Sequence, residues 1–234
     1  MKKNKVLQIT LLAICLALSN TSSSQTIWLN GGLTRSSLNV VQTSAFGMSD
    51  SLFQTPMTAI NGSLEIEYAK KKKTSMASEI GLYTAAGSQL SSNGVFPLKV
   101  PYLFIQQMFN WYPVALKSWK VSLAIGPRVD YIIGNADDPN EQLFFYNELK
   151  VVNKLNFGAT GKIGIVYSKA RFGFKVNVIR PWKFKNFMST EQGQDLTKSS
   201  SRNFNNASII DITGKDNVCN FNLGISYNLK KEKI

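Results

Sequence analysis

Strict alternation of apolar and polar residues runs through most of this chain and limits what it can fold into. The clearest case lies near the C-terminus, where an eleven-residue segment reads Cys219, Asn220, Phe221, Asn222, Leu223, Gly224, Ile225, Ser226, Tyr227, Asn228, Leu229. Successive side chains of a β-strand point to opposite faces, whereas apolar residues on a helix recur every three or four positions. The segment is therefore predicted to be a strand with one apolar face and one polar face.

Seven further segments show the same period and predict eight strands in all. Their approximate extents are 26–39, 63–68, 74–85, 98–112, 121–133, 154–167 and 172–178. The connections alternate between short (70–73, 113–118, 168–170) and longer (40–57, 86–97, 134–150, 181–215). Short turns at one end and long loops at the other are typical of outer-membrane barrels. We predict an all-β fold, an eight-stranded antiparallel up-and-down transmembrane β-barrel, with ten strands if Asn61-Gly62 forms a hairpin turn.

The first 24 residues have the pattern of a secretory signal peptide. A lysine-rich start precedes the apolar run Val6–Leu18, and small residues follow it. The apolar run is shorter than the roughly 20 residues that a membrane-spanning helix needs. We predict a signal peptide at 1–24 and an outer-membrane barrel domain at 25–234, in a Gram-negative bacterium. An even number of strands then places both termini on the periplasmic side.

The composition narrows the function classes. The sequence has 27 Lys and Arg against 14 Asp and Glu, for a net charge of +13, but export argues against nucleic acid as the partner. The chain has no histidine, so a catalytic triad based on histidine cannot be built, and the commonest metal ligand is missing. An acidic group at Asp137, Asp138 and Glu141 lacks the spacing of a calcium loop. We predict no enzyme activity, no cofactor and no metal site.

Alternation does not say which face of the sheet points outwards. A soluble periplasmic lipocalin-like binding barrel has its apolar face inside, and a membrane barrel reverses this arrangement. Apolar faces recur around the whole sheet and aromatic residues gather at the short-turn ends, which favours the membrane barrel. Charged residues on the polar face then form a predicted lumen network: Glu65, Glu67, Glu79, Arg128, Asp130, Lys154, Lys162 and Lys175. The predicted girdle at the membrane interface comprises Trp28, Tyr68, Trp111, Tyr112, Trp119, Tyr167 and Tyr227.

One loop segment interleaves basic and aromatic residues. Trp182, Lys183, Phe184 and Lys185 open the longest predicted outer loop. Such a segment can contact a glycan, a phosphate or a protein partner, and it can equally be the outer edge of the girdle. Downstream, Ile209, Ile210 and Ile212 resume a strand-like pattern and are expected to extend the last hairpin above the membrane.

Three segments carry a family resemblance. Leu98–Ile105 (LKVPYLFI), Ile125–Tyr131 (IGPRVDY) and Leu223–Leu229 (LGISYNL) resemble the LEIPLLL, AGPYVGY and LGLGYRF segments of the PorT-like outer-membrane β-barrel family, in the same strand order. The chain departs from that pattern in its long final loop and in the tail 230–234, which replaces a terminal phenylalanine. The resemblance implies an eight-stranded outer-membrane barrel without catalytic residues. Some members of the family serve a protein-secretion system that also supports gliding.

These observations lead to one main functional prediction and two alternatives. The main prediction is a non-enzymatic barrel that acts as an assembly, secretion or docking component. Its partners would be outer-membrane lipids and proteins of a secretion or envelope complex. The alternatives are a small-solute transport barrel, suggested by the charged lumen, and a surface adhesin or receptor, suggested by the long outer loops.

Overall fold

The computed structural model describes residues 25–44, 49–52, 54–91, 94–133, 153–189 and 209–229. The predicted signal peptide lies outside these residues, as does the acidic group at 137–141. Within the described residues no helix is long and apolar enough to cross a membrane.

Ten antiparallel strands occur in the described part of the chain and form one sheet. They are β1 (Thr26–Ser44), β2 (Ser49–Leu52), β3 (Thr55–Tyr68), β4 (Thr74–Ser91), β5 (Gly94–Ala115), β6 (Trp119–Ile132), β7 (Leu155–Lys169), β8 (Phe172–Lys183), β9 (Met188–Ser189) and β10 (Ile209–Asn228). β1 pairs with β10 from Thr26–Asn228 outwards, and this seam closes the sheet into a barrel. β2 and β9 are short and pair only with the loop-side ends of β1 and β10. Eight wall strands remain, so the predicted eight-stranded antiparallel barrel is confirmed.

The strands are joined by tight turns at one end of the barrel. The β3–β4, β5–β6 and β7–β8 connections span only residues 69–73, 116–118 and 170–171. Ala69 and Ala170 have positive φ angles of 49° and 56°, the left-handed conformation that reverses a chain within few residues. The first and last residues that the structure describes, Gln25 and Leu229, lie at this end, where Leu229 N–H donates to the carbonyl oxygen of Gln25 across the seam.

Strand lengths differ from the sequence prediction mainly at the loop end. β4 and β5 pair as far as Ser91–Gly94, where a loop over 86–97 was predicted. β10 starts at Ile209, which confirms the predicted extension of the last hairpin. The possible hairpin turn at Asn61-Gly62 is wrong, because both residues pair inside the continuous β3. Their neighbours on β1 and β4 hold them in register, so the Asn-Gly signal is overridden by sheet pairing.

A bulge in β3 is compensated by a side chain from β1. The β3–β4 register shifts between Pro56 and Asn61. Beside this shift, the Ser36 hydroxyl donates to the carbonyl oxygen of Ala86 at 3.0 Å and accepts from its N–H at 2.6 Å. Ala86 has no pairing partner on the bulged part of β3. The Ser36 hydroxyl instead satisfies both backbone groups of this buried residue.

The outside of the barrel is apolar and the inside is polar. Every wall strand exposes large apolar side chains, among them Leu29, Leu33, Ile60, Leu64, Leu82, Phe109, Ile125, Phe157, Ile163, Ile165, Val176, Val178, Phe221, Leu223 and Ile225. The alternate positions are buried and mostly polar, such as Asn30, Thr34, Ser63, Asn177, Asn220 and Asn222. A soluble protein does not expose a continuous apolar band of this kind. The soluble lipocalin-like alternative is therefore wrong, and the chain is an outer-membrane β-barrel.

Candidate functional site: a filled polar lumen

The centre of the lumen holds two carboxylates and two lysines in contact. Glu65 and Glu79 are directly opposite each other on β3 and β4. Lys162 Nζ on β7 lies 2.9 Å from Glu65 Oε2 and 3.1 Å from Glu79 Oε2. Lys175 Nζ on β8 lies 2.6 Å from Glu65 Oε2. The lysines thus bridge the lumen and neutralise a pair of like charges that would otherwise repel each other across the two strands.

A second layer lies nearer the short turns and is organised by Glu67. Its carboxylate accepts hydrogen bonds from Tyr112 Oη at 2.6 Å, Ser75 Oγ at 2.7 Å and Trp28 Nε1 at 3.1 Å. Lys70 Nζ is 3.9 Å from Glu67 Oε2 at the mouth of the barrel. Lys175, whose ammonium lies 4.4 Å from the centroid of the Trp28 ring, connects this layer to the central one.

A third layer lies on the loop side of the centre and is organised by Arg128. Its Nε and Nη2 atoms donate to Asp130 at 2.8–3.0 Å, and its Nη1 donates to Gln106 Oε1 at 3.3 Å. The guanidinium packs over Phe104 at 4.0 Å and over Tyr83 at 4.9 Å from the ring centroids. Gln106 also donates to Glu79 at 2.6 Å, so the third layer is continuous with the central one.

The loop-side end of the lumen is closed by one further ion pair and by apolar side chains. Lys183 bonds Asp216, and its ammonium lies 3.5 Å from the centroid of the Tyr102 ring. Tyr102 stacks on Tyr83 with a centroid separation of 4.9 Å. Further apolar residues are buried in the loop-side parts of the strands and beyond β8: Leu38, Val40, Leu98, Val100, Ile132, Ile179, Phe187 and Val218.

The charges inside the barrel balance. Among the described residues, five carboxylates are each within 4.0 Å of a cation, namely Glu65, Glu67, Glu79, Asp130 and Asp216, and five cations pair with them, namely Lys70, Arg128, Lys162, Lys175 and Lys183. An unpaired charge in this position costs several kcal/mol or more, whereas a paired and hydrogen-bonded one is tolerated. The interior of an eight-stranded barrel is just wide enough for side chains to fill. Mutually neutralising groups occupy this lumen from Lys70 at the short-turn mouth to Arg128, and buried apolar side chains lie towards its loop-side end.

Most of the charged residues predicted for the lumen meet there, with one exception. Lys154 is exposed and precedes the start of β7 at Leu155, so it stands at the rim beyond the paired wall. Lys154 has an even number, like the inward-facing residues of β7. However, β7 begins only at Leu155, so Lys154 is not brought into the lumen. The sequence reasoning missed Ser63, Ser75 and Gln106. Ser63 shares a strand face with Glu65 and Ser75 shares one with Glu79, whereas Gln106 lies on β5, which carries no predicted member of the network.

Three residues predicted for the girdle do not face lipid as expected. Trp28 and Tyr112 are buried in the lumen, where both donate to Glu67. They lie at the predicted height but on the inward face of the wall. Trp28 is two residues from Asn30 and Tyr112 is two residues from Asn110, and residues two apart on a strand share a face. Tyr68 has outward parity but is only 9% exposed, because it bonds Ser78 and Gln107 on neighbouring strands.

The remaining aromatic residues form a girdle at the short-turn end. Trp111, Trp119 and Tyr227 are 46%, 51% and 41% exposed. Trp119 packs on Tyr167 with a centroid separation of 4.8 Å, and Phe172 packs on Tyr227 at 5.7 Å. Rings with an apolar body and a polar edge prefer the headgroup zone, and the assignment of this band to a membrane interface stays a prediction.

The predicted loop contact segment divides between the two faces of the wall. Trp182 and Phe184 are exposed, and the Trp182 ring lies next to Gly161 on the outer wall. Lys185 is also exposed. Lys183 is turned inwards to Asp216 and is not available at the surface, because β8 continues its alternation through this residue.

No protein-family model matches the chain, and no curated protein matches its sequence. Solved structures that resemble it include Neisserial surface protein A, with 6% identity, a TM-score of 0.39 and coverage of 87% of this chain and 96% of that one. Outer membrane protein AlkL has 12% identity, a TM-score of 0.44 and coverage of 92% and 95%. The outer membrane protease OmpT from Escherichia coli has 9% identity, a TM-score of 0.41 and coverage of 89% and 98%.

At these values the similarities say nothing about function, and the fold is established by the strand pairing of the chain itself. The resemblance to PorT-like proteins stays a prediction. In the described residues no group of three or more His, Cys, Asp or Glu side chains is arranged to hold a metal ion.

Proposed function

We propose that this protein is a non-enzymatic outer-membrane barrel that serves as a docking or assembly component of the cell envelope, as expected for PorT-like proteins. The observation that supports this role is the filled lumen. Its charged groups bond one another across the barrel, which leaves the interior a structural core and leaves the two rims for contact with partners.

The wall itself favours contact on the loop side. β1, β4, β5 and β10 have 19, 18, 22 and 20 residues, against 12 in β8 and 14 in β6. A membrane-spanning strand needs about 9–11 residues. The long strands therefore extend beyond the bilayer and carry exposed polar positions such as Arg35, Asn39 and Lys99 to a height where another protein can reach them.

The lumen also disfavours catalysis. Glu65, Glu67 and Glu79 are the carboxylates that could act as a general acid and base, and each is engaged by a cation or by several hydrogen-bond donors. A carboxylate held in this way has no free position beside it for a substrate or a water nucleophile.

Two measurements test the proposal. In planar bilayers the purified barrel should give no steady conductance steps in 1 M KCl. In cells, a photo-crosslinking amino acid at Lys99 or Lys154 on the loop-side rim should give discrete protein adducts, and one at Ile163 on the lipid-facing wall should give none. Steady conductance would favour a transport barrel instead. The absence of adducts at both rim positions would contradict the docking role.

A further inference from the structure

Every short turn of the barrel carries exposed cations. The β3–β4 turn contains Lys70–Lys73, of which the last three are exposed. The β5–β6 turn contains Lys117, and the β7–β8 turn is flanked by Lys169 and Arg171, all exposed. Three turns that are distant in sequence thus place positive charge at the same rim. We call the exposed members of this set (Lys71–Lys73, Lys117, Lys169 and Arg171) the cationic rim.

The cationic rim has no acidic counterpart. Glu67 is the described carboxylate closest in sequence to any of these turns, and it is buried in the lumen with 7% exposure. Its charge is directed to Lys70, Tyr112 and Ser75 rather than to the exposed lysines of the turn. The positive charge of the rim is therefore not neutralised within the described part of the protein.

The rim stands directly beyond the aromatic girdle. Lys117 lies two residues from Trp119, Lys169 lies two residues from Tyr167, and Arg171 is adjacent to Phe172. Because a strand rises about 3.3 Å per residue, the backbone positions of these cations lie within roughly 7 Å of those of the aromatic residues. Arg171 is held on the outer side of the wall, where its Nη1 donates to the Tyr227 hydroxyl at 3.1 Å. The cations thus lie next to the aromatic residues at this end of the barrel.

We propose that the cationic rim binds the headgroups of anionic phospholipids in the periplasmic leaflet, to which short turns of an outer-membrane barrel are exposed. The charge complementarity, the position beside the girdle and the outward orientation of Arg171 favour lipid over an acidic protein. A protein partner would dock below the rim and has no need of cations placed next to the aromatic residues. Each cation near an anionic surface contributes about a fivefold preference at low ionic strength, so several together produce strong selectivity.

The test uses the folded full barrel in vesicles of phosphatidylcholine that contain either brominated phosphatidylglycerol or brominated phosphatidylcholine. Bromine quenches nearby tryptophan, and Trp111 and Trp119 report on the short-turn end. A Trp182→Phe background removes the exposed tryptophan at the other end. We expect phosphatidylglycerol to associate at least fivefold more strongly than phosphatidylcholine, as judged from quenching against mole fraction.

The decisive comparison is between two variants with equal loss of charge. K71Q/K72Q/K73Q removes three cations from the rim, and K99Q/K154Q/K215Q removes three exposed cations from the opposite end. The first variant should lose most of the preference for phosphatidylglycerol, and the second should keep it. The heat-dependent gel mobility of each variant establishes that it is folded.

Three outcomes would overturn the proposal. One is an equal association of the two lipids with the wild-type barrel. Another is an equal loss of preference in both triple variants, which would indicate a general effect of net charge. The third is a preference that persists unchanged in 0.5 M NaCl, where attraction between exposed charges is screened. An acidic periplasmic protein would then become the better candidate for the rim.

Discussion

Replacement of Lys162 by methionine tests whether the lumen is stabilised by its charge network. The ammonium is the only cation within 4.0 Å of Glu79 among the described residues, and it shares Glu65 with Lys175. The side chain is 4% exposed and that of Glu79 is 0% exposed, so water does not screen the loss. Methionine has nearly the length of lysine, and little of the effect would come from a cavity.

The expected cost is about 3–5 kcal/mol, the range found when one partner of a buried ion pair is removed. Glu79 would keep only its neutral donors, Ser63 and Gln106, and would face Glu65 directly across the two strands. A second substitution should restore part of the stability. In the Lys162→Met background, Glu79→Gln removes the unpaired charge, and we expect the double variant to recover at least about 1 kcal/mol.

The assay is urea unfolding of the barrel in short-chain phosphatidylcholine vesicles, followed by tryptophan fluorescence. Lys154→Met is the matched control, because this exposed lysine has no role in the lumen and should change the unfolding free energy by less than about 0.5 kcal/mol. A loss below about 1 kcal/mol in Lys162→Met would refute the reasoning. Strict additivity of the two substitutions would refute it as well, since it would mean that Lys162 and Glu79 are not coupled.

Three further substitutions test the wall. Ser36→Ala should lower the unfolding free energy by about 1–3 kcal/mol, because both backbone groups of Ala86 lose their partner, and a change below 0.5 kcal/mol would contradict this assignment. Gly126→Ala should prevent folding or lower the urea midpoint markedly, because a Cβ there would lie 1.8 Å from a backbone oxygen of β5. Gly62→Ala is the control and should have little effect, because the nearest atom to a Cβ at that position is 3.7 Å away. Ala170→Gly should raise the unfolding free energy by up to about 1 kcal/mol, because the left-handed conformation costs a residue with a Cβ about 1–2 kcal/mol; destabilisation would show that the turn is not strained.

The sequence predicts the barrel well because one rule governs each wall strand. Where apolar and polar residues alternate, as from Leu155 to Tyr167, the odd or even position of a residue directly gives the face of the wall on which it lies. In β5 all even positions from Leu98 to Tyr112 are buried, but they are mixed in polarity, so alternation of polarity alone does not identify the inward face. Parity was insufficient in that strand because the loop-side half of the lumen is itself apolar.

The lumen network was harder to predict than the wall. Their charge on the inward face identifies Glu65, Lys162 and Lys175 as lumen residues. It does not show that they meet, because contact depends on the relative height of strands that are far apart in sequence. Trp28 and Tyr112 face the lumen and not lipid, because the height of an aromatic residue along the wall does not decide which face it occupies. The polar atom of each ring donates a hydrogen bond to Glu67 inside the barrel. That this buried carboxylate needs hydrogen-bond donors is visible only in the assembled barrel.

The seam between β1 and β10 constrains how the protein can form. It joins the first wall strand to the last, with pairing that runs from Thr26–Asn228 to the loop-side end of both strands. Until β10 is available, β1 presents an unpaired edge, and such an edge recruits other strands. Closure must therefore wait for the whole chain and proceed by contacts of the greatest sequence separation, which are slow to form. A C-terminal truncation within β10 should consequently yield an aggregating chain in place of a smaller barrel.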